Sequence, residues 1–293
     1  MLSYDKKNYE IYPLSSLPSN IKFQFKKRKK ITSTPITIEK NPISYQEYHK
    51  KFAAVQAHIR SGESYLLNLT SKTSIKTPLS LEEIYTRSDG KYKLLYKDQF
   101  TCFSPESFCE IYEDRLYTYP MKGTIDANIP NAKEVILKDQ KELAEHTMVV
   151  DLLRNDLSTV ATNVKVERFR YTQKIKAGKK ELLQISSKIS GKLEKNWQNR
   201  VGDIIDSLTP AGSITGTPKR KTVEIIEQIE GYDRGYFTGI FGVFDGVSLK
   251  SAVMIRFIQK IHKSYIYKSG GGITCDSDPK KEYQEMIDKV YIP

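Results

Sequence analysis

The chain contains 293 residues, of which 39% are hydrophobic, and it is therefore long enough to bury a substantial core. It has no run of about eighteen apolar residues, and its N-terminus lacks the apolar stretch of a secretory signal. These features exclude a protein that spans a membrane with helices, and they predict a cytoplasmic protein without membrane partners. Three cysteines without CxxC spacing exclude a disulfide framework or a zinc ribbon.

The formal net charge of +12 has three explanations, namely a nucleic-acid partner, an anionic small molecule or a lysine-rich surface. The one real basic cluster, residues 26–30, stands in a segment without aromatic stacking motifs or a helix-turn-helix pattern. We interpret this cluster as solvated surface and expect no nucleic acid as a partner. A basic nucleic-acid-binding protein is the alternative from a different class.

The first elements follow a polar N-terminal segment. Residues 1–42 contain four prolines, which predicts an irregular or extended lead-in, and the organised domain is expected over residues 43–293. Ser44 and Glu47 have the spacing of a capping box, and apolar residues then recur at helical intervals until Gly62. This pattern predicts an amphipathic helix.

The middle of the chain combines strands with a helix. Residues 65–70 are typical of a buried strand, and residues 108–111 with 116–119 predict a hairpin. Apolar residues at helical spacing then predict a helix over residues 132–153.

The C-terminal part contains three strand-like runs, at residues 236–244, 247–259 and 261–268. The first two are joined by Asp245-Gly246, which is a strong signal for a tight hairpin. Strands that adjoin in hairpins, with helices between sheet segments, predict an α+β fold with antiparallel sheets.

Two helices of this region are expected to begin at prolines. Thr217 is the predicted N-cap of a helix that starts at Pro218 and runs to about residue 229. Asp278 is the predicted N-cap of the last helix, which starts at Pro279 by the same device.

Four glutamates form two pairs with i,i+3 spacing, Glu142 with Glu145 and Glu282 with Glu285. Residues three apart share a helix face, so two such helices could present their carboxylates to a hard cation such as Mg²⁺. The alternative is that each pair lies on a solvated helix face, and the pairs taken alone favour that alternative.

Lys122 follows a predicted strand end and precedes Gly123, where the backbone can turn sharply. A lysine at such a position is either a surface group in a salt bridge or a partly desolvated amine that acts as a nucleophile after losing its proton. The residue alone favours the surface interpretation.

A loop at residues 212–219 is rich in glycine and hydroxyl groups and leads into a helix. It includes Thr215 and Lys219, and its free N–H groups could bind an anion. The order of residues differs from a Walker A motif.

Two further features suit a carboxylate ligand. The consecutive glycines Gly270, Gly271 and Gly272 follow a strand and would let backbone amides approach a carboxylate closely. Arg256 lies inside a predicted strand, where its charge needs an acidic partner or a ligand carboxylate.

Together these residues resemble the chorismate-utilising enzymes, and within them component I of aminodeoxychorismate synthase, over about residues 45–292. Seven motifs match in the family's order, which makes the resemblance specific. The resemblance also predicts a chain that lacks most of the family's usual N-terminal domain. The motifs are Ser104-Pro105-Glu106, Pro120-Met121-Lys122-Gly123-Thr124, residues 141–156, residues 212–219, Arg256, residues 270–273 and residues 282–289.

The resemblance implies a fold of two antiparallel sheets packed between helices in four layers, α/β/β/α. Residues 43–293 would then be the chorismate-binding catalytic domain, with Mg²⁺ carrying the ring carboxylate of the substrate. By motif position, Glu145 and Glu285 would bind the metal directly, and Glu142 and Glu282 would support it through water.

The resemblance also assigns the substrate contacts. Arg256 and the amides of the glycines 270–272 would hold the enolpyruvyl carboxylate, with Thr215 and Lys219 also in contact with the substrate. Two substrate-binding positions depart from the family. Gln184 stands where a histidine is usual, so it cannot shuttle a proton, and Phe237 replaces a usual tyrosine and loses its hydroxyl. A catalytically weakened relative that only binds chorismate is therefore one alternative.

Lys122 distinguishes the subfamilies, because enzymes that make anthranilate carry alanine at its position. The resemblance implies that the lysine amine attacks C2 of chorismate while the C4 hydroxyl leaves with a proton from Glu106, after which ammonia attacks C4 and expels the lysine. Relatives that form isochorismate or salicylate use a lysine base where this chain has Leu66, and leucine cannot activate water.

The expected protein is a Mg²⁺-dependent aminodeoxychorismate synthase component, a lyase or transferase. It would convert chorismate and ammonia into 4-amino-4-deoxychorismate for 4-aminobenzoate and folate biosynthesis. The ammonia would come from a glutamine amidotransferase partner, since no cysteine has a glutaminase-like setting. The nearest alternative is anthranilate synthase component I, with Lys122 as a spectator.

Overall fold

The computed structural model describes residues 1–25, 36–177 and 180–293, and the basic cluster at residues 26–30 lies outside them. The chain divides into two compact units. Unit 1 comprises Met1–Pro105, Ile214–Phe241 and Val253–Pro293, and unit 2 comprises Glu106–Ser213 and Gly242–Ala252. Within the described ranges, no helix is long and apolar enough to cross a membrane.

Helices and strands alternate irregularly along the chain. The α-helices are α1 (Tyr45–Arg60), α2 (Leu81–Arg87), α3 (Ala132–Lys138), α4 (Gln140–Ser158), α5 (Val201–Leu208), α6 (Lys219–Glu230) and α7 (Pro279–Asp288). The strands are β1 (Ile21–Gln24), β2 (Glu39–Asn41), β3 (Leu66–Lys76), β4 (Tyr92–Tyr96), β5 (Phe100–Ser104), β6 (Ser107–Tyr112), β7 (Arg115–Thr118), β8 (Met121–Asp126), β9 (Thr162–Ala177), β10 (Lys180–Lys192), β11 (Gly216–Thr217), β12 (Ile240–Phe244), β13 (Leu249–Val253), β14 (Phe257–Ile261) and β15 (Ser264–Ile273).

The strands form two antiparallel sheets, which confirms the predicted α+β class. In the part of the chain that the structure describes, one sheet has eight strands, in the order β1-β4-β5-β14-β15-β3-β11 with β2 also paired to β3. All eight belong to unit 1. The other sheet has seven described strands, in the order β12-β13-β6-β7-β10-β8 with β9 paired to β10.

The main core of unit 1 lies between its sheet and three helices. The helices α1, α6 and α7 pack against β3 and β15, and their apolar side chains form one cluster. Ser44 caps α1 by accepting a hydrogen bond from the backbone N–H of Glu47, as the sequence predicts. Asp278 caps α7 at Pro279 in the same way. These caps fix where each helix starts, and α7 carries the second glutamate pair.

The core of unit 2 lies where α4 packs on β8, β9 and β10. The single helix predicted over residues 132–153 is wrong in one respect, because the structure contains two helices there. The break falls at Asp139, whose ψ of 117° is extended and whose carboxylate accepts a 3.0 Å hydrogen bond from the backbone N–H of Glu142. An aspartate that caps a new helix therefore interrupts the apolar pattern and sets the start of the helix with the first glutamate pair.

The predicted strand over residues 247–259 is two strands, β13 and β14. Arg256 lies between them with a left-handed φ of 53°, so its predicted place inside a strand is wrong. Phe237 is likewise in a turn, since β12 begins only at Ile240. The hairpin at Asp245 is confirmed, and its carboxylate accepts hydrogen bonds from the backbone N–H groups of the two residues that follow Gly246.

Two element boundaries also differ from expectation. The helix α6 begins one residue later than predicted, with Pro218 at the N-cap and Thr217 in the short strand β11. The lead-in 1–42 contains β1 and β2, which pair with β4 and β3, so the extended part of that segment contributes to the sheet of unit 1.

Candidate active site

Lys122 lies on β8 in unit 2 and forms an ion pair with Glu145, a member of the first glutamate pair. Its Nζ is 2.7 Å from Oε2 of Glu145 on α4, and Lys141 Nζ lies 3.7 Å from the other carboxylate oxygen. The Lys122 side chain is 28% exposed and that of Glu145 is 11% exposed. The amine is therefore accessible, and its closest partner is a largely buried carboxylate.

Glu142 lies one helical turn before Glu145, with its carboxyl group beside Gly123. Its Oε2 atom is buried and has no hydrogen-bond partner among the described residues. Burial raises the pKa of Glu142, and the Lys122 charge opposes that shift. A Cβ at Gly123 would stand 2.4 Å from Glu142 Oε2, and the backbone there has a φ of 89°. Glycine is thus required after Lys122 for both reasons.

Glu106, the predicted proton donor, begins unit 2 and accepts a 2.5 Å hydrogen bond from the Ser213 hydroxyl. Both residues line a cavity of about 20 Å³, which has room for about one water molecule. Tyr119 and Asp156 line the same cavity, and a Cβ at Gly212 would stand 2.8 Å from Asp156 Oδ2. Asp156 and Glu106 are both half-buried and share this cavity.

The second glutamate pair lies on α7 in unit 1, next to the glycine-rich end of β15. Glu285 Oε1 is 2.5 Å from Lys289 Nζ, which also donates a 2.8 Å hydrogen bond to the carbonyl of Gly270. Glu282 accepts a 2.8 Å hydrogen bond from the Ser277 hydroxyl. A Cβ at Gly271 would stand 3.4 Å from a carboxylate oxygen of each glutamate.

The side chains of the two glutamate pairs are chemically suited to bind a Mg²⁺ ion. All four donors are carboxylates, which Mg²⁺ prefers, and the buried oxygen of Glu142 lacks a partner. The two glutamates expected to bind directly, Glu145 and Glu285, are each neutralised by a lysine. In the described ranges, no three His, Cys, Asp or Glu side chains are grouped so as to hold a metal ion. The Mg²⁺ site stays a prediction.

The predicted substrate residues of unit 1 lie in several environments. Arg256 places its guanidinium carbon 5.3 Å from the ring centroid of Tyr291. Phe237 is 2% exposed and packs against Phe257. Thr215 is buried, and its carbonyl accepts a hydrogen bond from β3. The structure gives the contacts of these three residues within the protein, and their contacts with substrate stay predictions.

The remaining predicted positions are also on ordered elements. Lys219 is the first residue of α6, and Gln184 on β10 pairs with Thr124, two residues after Lys122. Leu66 lies on β3, and its Cδ1 atom would be 3.0 Å from a Cβ at Gly272. An apolar side chain therefore occupies the position at which the resemblance places a water-activating lysine in other relatives.

Sequence reasoning missed two buried polar groups near these residues. His146 follows Glu145, and its Nε2 lies 2.7 Å from Ser187 Oγ on β10. Burial lowers the pKa of His146 to about 4, so the ring is neutral. Lys268 on β15 is buried two residues before the glycines. The local sequence gives no signal for this burial, because an alternating strand pattern assigns a lysine to solvent.

The family is established by comparison with known proteins. The model of the chorismate binding enzyme family matches residues 6–292, and the chain therefore belongs to that family. An uncharacterized PabA-like protein of Haemophilus influenzae is 47% identical over 298 residues, which is 100% of this chain and 91% of the relative.

Two further comparisons bear on reaction and fold. Aminodeoxychorismate synthase component 1 of Bacillus subtilis is 30% identical over 85% of this chain and 55% of its own length. The crystal structure of anthranilate synthase component I from Streptococcus pneumoniae superposes with a TM-score of 0.75 at 24% identity, over 88% of this chain and 59% of that one. The similarity in structure confirms the fold. It does not distinguish an aminodeoxychorismate synthase reaction from an anthranilate synthase reaction.

Proposed function

We propose that the protein is component I of an aminodeoxychorismate synthase, which converts chorismate and ammonia into 4-amino-4-deoxychorismate and water. The observation that carries this proposal is Lys122, an accessible amine held at 2.7 Å from Glu145 on the helix of the first glutamate pair. The identity with the B. subtilis synthase component supports the family relationship, while the choice of reaction rests on this lysine.

In the proposed reaction, the neutral Lys122 amine attacks C2 of chorismate, the ring double bonds shift, and the C4 hydroxyl leaves as water with a proton from Glu106. Ammonia then attacks C4, the double bonds return, and the lysine leaves from C2. Protonation of the leaving oxygen requires an acid that is held in place. The hydrogen bond from the Ser213 hydroxyl supports this role, because it holds the Glu106 carboxyl group in place.

We propose Mg²⁺ as the cofactor, with Glu145 and Glu285 as direct ligands and Glu142 and Glu282 acting through water. When bound, the ion would neutralise the ring carboxylate and so allow a dianionic substrate near acidic side chains. The unpartnered oxygen of Glu142 and the close approach of both α7 glutamates to Gly271 support this assignment.

A glutamine amidotransferase is the proposed source of ammonia, and the cytoplasm is the proposed location. Of the three cysteines, Cys102 and Cys109 are buried, and burial raises the pKa of both thiols. Neither is therefore suited to a glutaminase nucleophile. The proposed product places the protein in 4-aminobenzoate and folate biosynthesis.

Product identification tests the proposal. Purified protein is incubated with chorismate, ammonium and MgCl₂, and the amino product is identified by chromatography and mass spectrometry. The proposal predicts 4-amino-4-deoxychorismate, and treatment with EDTA should stop turnover until MgCl₂ is added back. Formation of ortho-aminobenzoate would instead establish anthranilate synthase activity, the nearest alternative. Tight chorismate binding without any turnover would identify a weakened relative, as the departures at Gln184 and Phe237 allow.

A further inference from the structure

Lys268 is a buried cation that the proposed reaction does not use. The residue is 4% exposed, and its ammonium donates hydrogen bonds to the carbonyls of Arg234 at 2.9 Å and Asp233 at 3.4 Å. Aromatic rings surround the same ammonium, with centroids at 5.5 Å for Tyr232, 5.7 Å for Phe257 and 6.0 Å for Phe237. A lysine in this environment has lost most of its hydration.

The charges around Lys268 do not balance it. Among the described residues, no carboxylate lies within salt-bridge distance of its ammonium. The nearest buried carboxylate, Glu230, is already paired with Arg234 by two hydrogen bonds. Asp233 is exposed and directs its side chain to a backbone N–H, and Lys72, paired with Lys268 across β3 and β15, adds a second positive charge. Burial lowers the pKa of Lys268 to about 8.

Lys268 also shares a face of β15 with the predicted carboxylate-binding glycines. Alternate residues of a strand point to the same side, so Lys268, Gly270 and Gly272 lie on one face. Gly271 lies on the other face, towards α7. Leu66 lies beside Gly272 on the face that carries Lys268, and the ring centroid of Phe237 is 6.0 Å from the Lys268 ammonium. Lys268 is thus next to the positions at which substrate contact is expected.

We propose that Lys268 supplies an uncompensated positive charge that attracts a carboxylate group of the substrate into unit 1. The inference rests on the proposed function, which requires a dicarboxylate ligand. The bound anion would provide the opposite charge that the protein itself does not provide, and it would favour the protonated lysine. Lys268 also ties the turn of Phe237 to β15 through the two carbonyls, so it acts as a positioning and electrostatic residue.

The test is the pH dependence of chorismate affinity, measured by calorimetry in MgCl₂ without ammonia. The wild-type protein should lose about tenfold in affinity between pH 7 and pH 9, because the fraction of charged Lys268 falls by that factor above a pKa of about 8. Lys268→Met should bind more weakly at pH 7 and lack this loss. Lys268→Arg should keep the affinity at pH 7 and retain it at pH 9, since arginine stays charged.

A second measurement reports the lysine without any ligand. The folded-state pKa of Lys268 is lower than that of an unfolded chain, so the unfolded state binds more protons between about pH 8 and pH 10. The free energy of unfolding should therefore rise with pH across this window in the wild type and less so in Lys268→Met.

The outcomes separate the two proposals. Equal pH dependence of chorismate affinity in the wild type and Lys268→Met would overturn the role of Lys268 and leave the proposed function intact. Absence of chorismate binding by the wild type at every pH would overturn the proposed function, and the role of Lys268 with it, even if the unfolding measurement confirmed a buried charge.

Discussion

Two ion pairs in this protein have similar N···O distances, but one is fully buried and the other is partly exposed. In unit 1, Arg234 and Glu230 are each 1% exposed and joined by two hydrogen bonds, while Arg234 also donates to two backbone carbonyls and Glu230 accepts from Thr70. In unit 2, Lys122 and Glu145 make a single 2.7 Å contact, and both are more exposed. The donors and acceptors of the first pair are all used in hydrogen bonds, whereas the second pair is a contact between one lysine and a glutamate that Lys141 also faces at 3.7 Å.

The difference indicates what each pair can do. A buried pair whose donors and acceptors are all used holds the chain together, because removing either member leaves a buried charge. The Lys122 pair contributes less to stability, because the amine is partly exposed and Lys141 still faces Glu145 when Lys122 is removed. The Lys122 pair is therefore free to be broken during a reaction, and the comparison predicts opposite effects of mutation at the two sites.

The largest expected effect is on activity at Lys122. Lys122→Ala should reduce formation of the amino product by roughly 10³-fold or more, since the covalent route is lost. Its free energy of unfolding should fall by less than that of Glu230→Gln, because Lys141 still faces the largely buried Glu145. Lys141→Met is the matched control, because Lys141 also faces Glu145 and has no proposed chemical role. Similar losses in both variants would mean that the charge near Glu145, and not the amine of Lys122, is what matters.

The next effect is on stability at the buried pair. Glu230→Gln should lower the free energy of unfolding by about 3 kcal/mol, because Arg234 would remain buried without an opposite charge. Urea denaturation measures this change. Glu227 is exposed on the same helix, and Glu227→Gln should change stability by no more than about 0.5 kcal/mol. A Glu230→Gln loss as small as that of the control would show that the Glu230–Arg234 pair does not stabilise unit 1.

The smallest effect concerns the glycine that accommodates Glu142. Gly62→Ala introduces a side chain at a φ of 77° with nothing within 4 Å, and it should cost about 1 kcal/mol in backbone strain alone. Gly123→Ala has similar strain and also meets the Glu142 carboxylate, so it should cost at least about 1 kcal/mol more. Equal losses of unfolding free energy in the two variants would mean that Glu142 moves away without cost.

Local sequence signals predicted those parts of the fold whose causes are local. The cap at Ser44, the hairpin at Asp245 and the cap at Asp278 depend on residues within a few positions of each other, and all three are present. The break at Asp139 and the turn at Arg256 were missed, because apolar residues continue on both sides of each and conceal the interruption. The helices α2 and α5 and the strand β9 were not predicted either.

The candidate site shows the same limit. Motif order identified Lys122 and the four glutamates, but not the pairing of Lys122 with Glu145, since β8 and α4 are brought together only by packing. Lys268 was missed because an alternating strand pattern assigns a lysine to solvent, whereas the turn at residues 231–238 buries it. Buried charges of this kind are set by tertiary contacts that a single sequence does not display.

The proposed reaction depends on a covalent bond between Lys122 and the substrate, which peptide mapping by mass spectrometry can detect. Protein incubated with chorismate and MgCl₂ in the absence of ammonia should carry an adduct, equal to chorismate minus water, on the peptide that contains Lys122. Ammonium should remove the adduct and release the amino product. Full turnover by Lys122→Ala, with no adduct on the wild-type peptide, would show that the Lys122 amine is not the nucleophile.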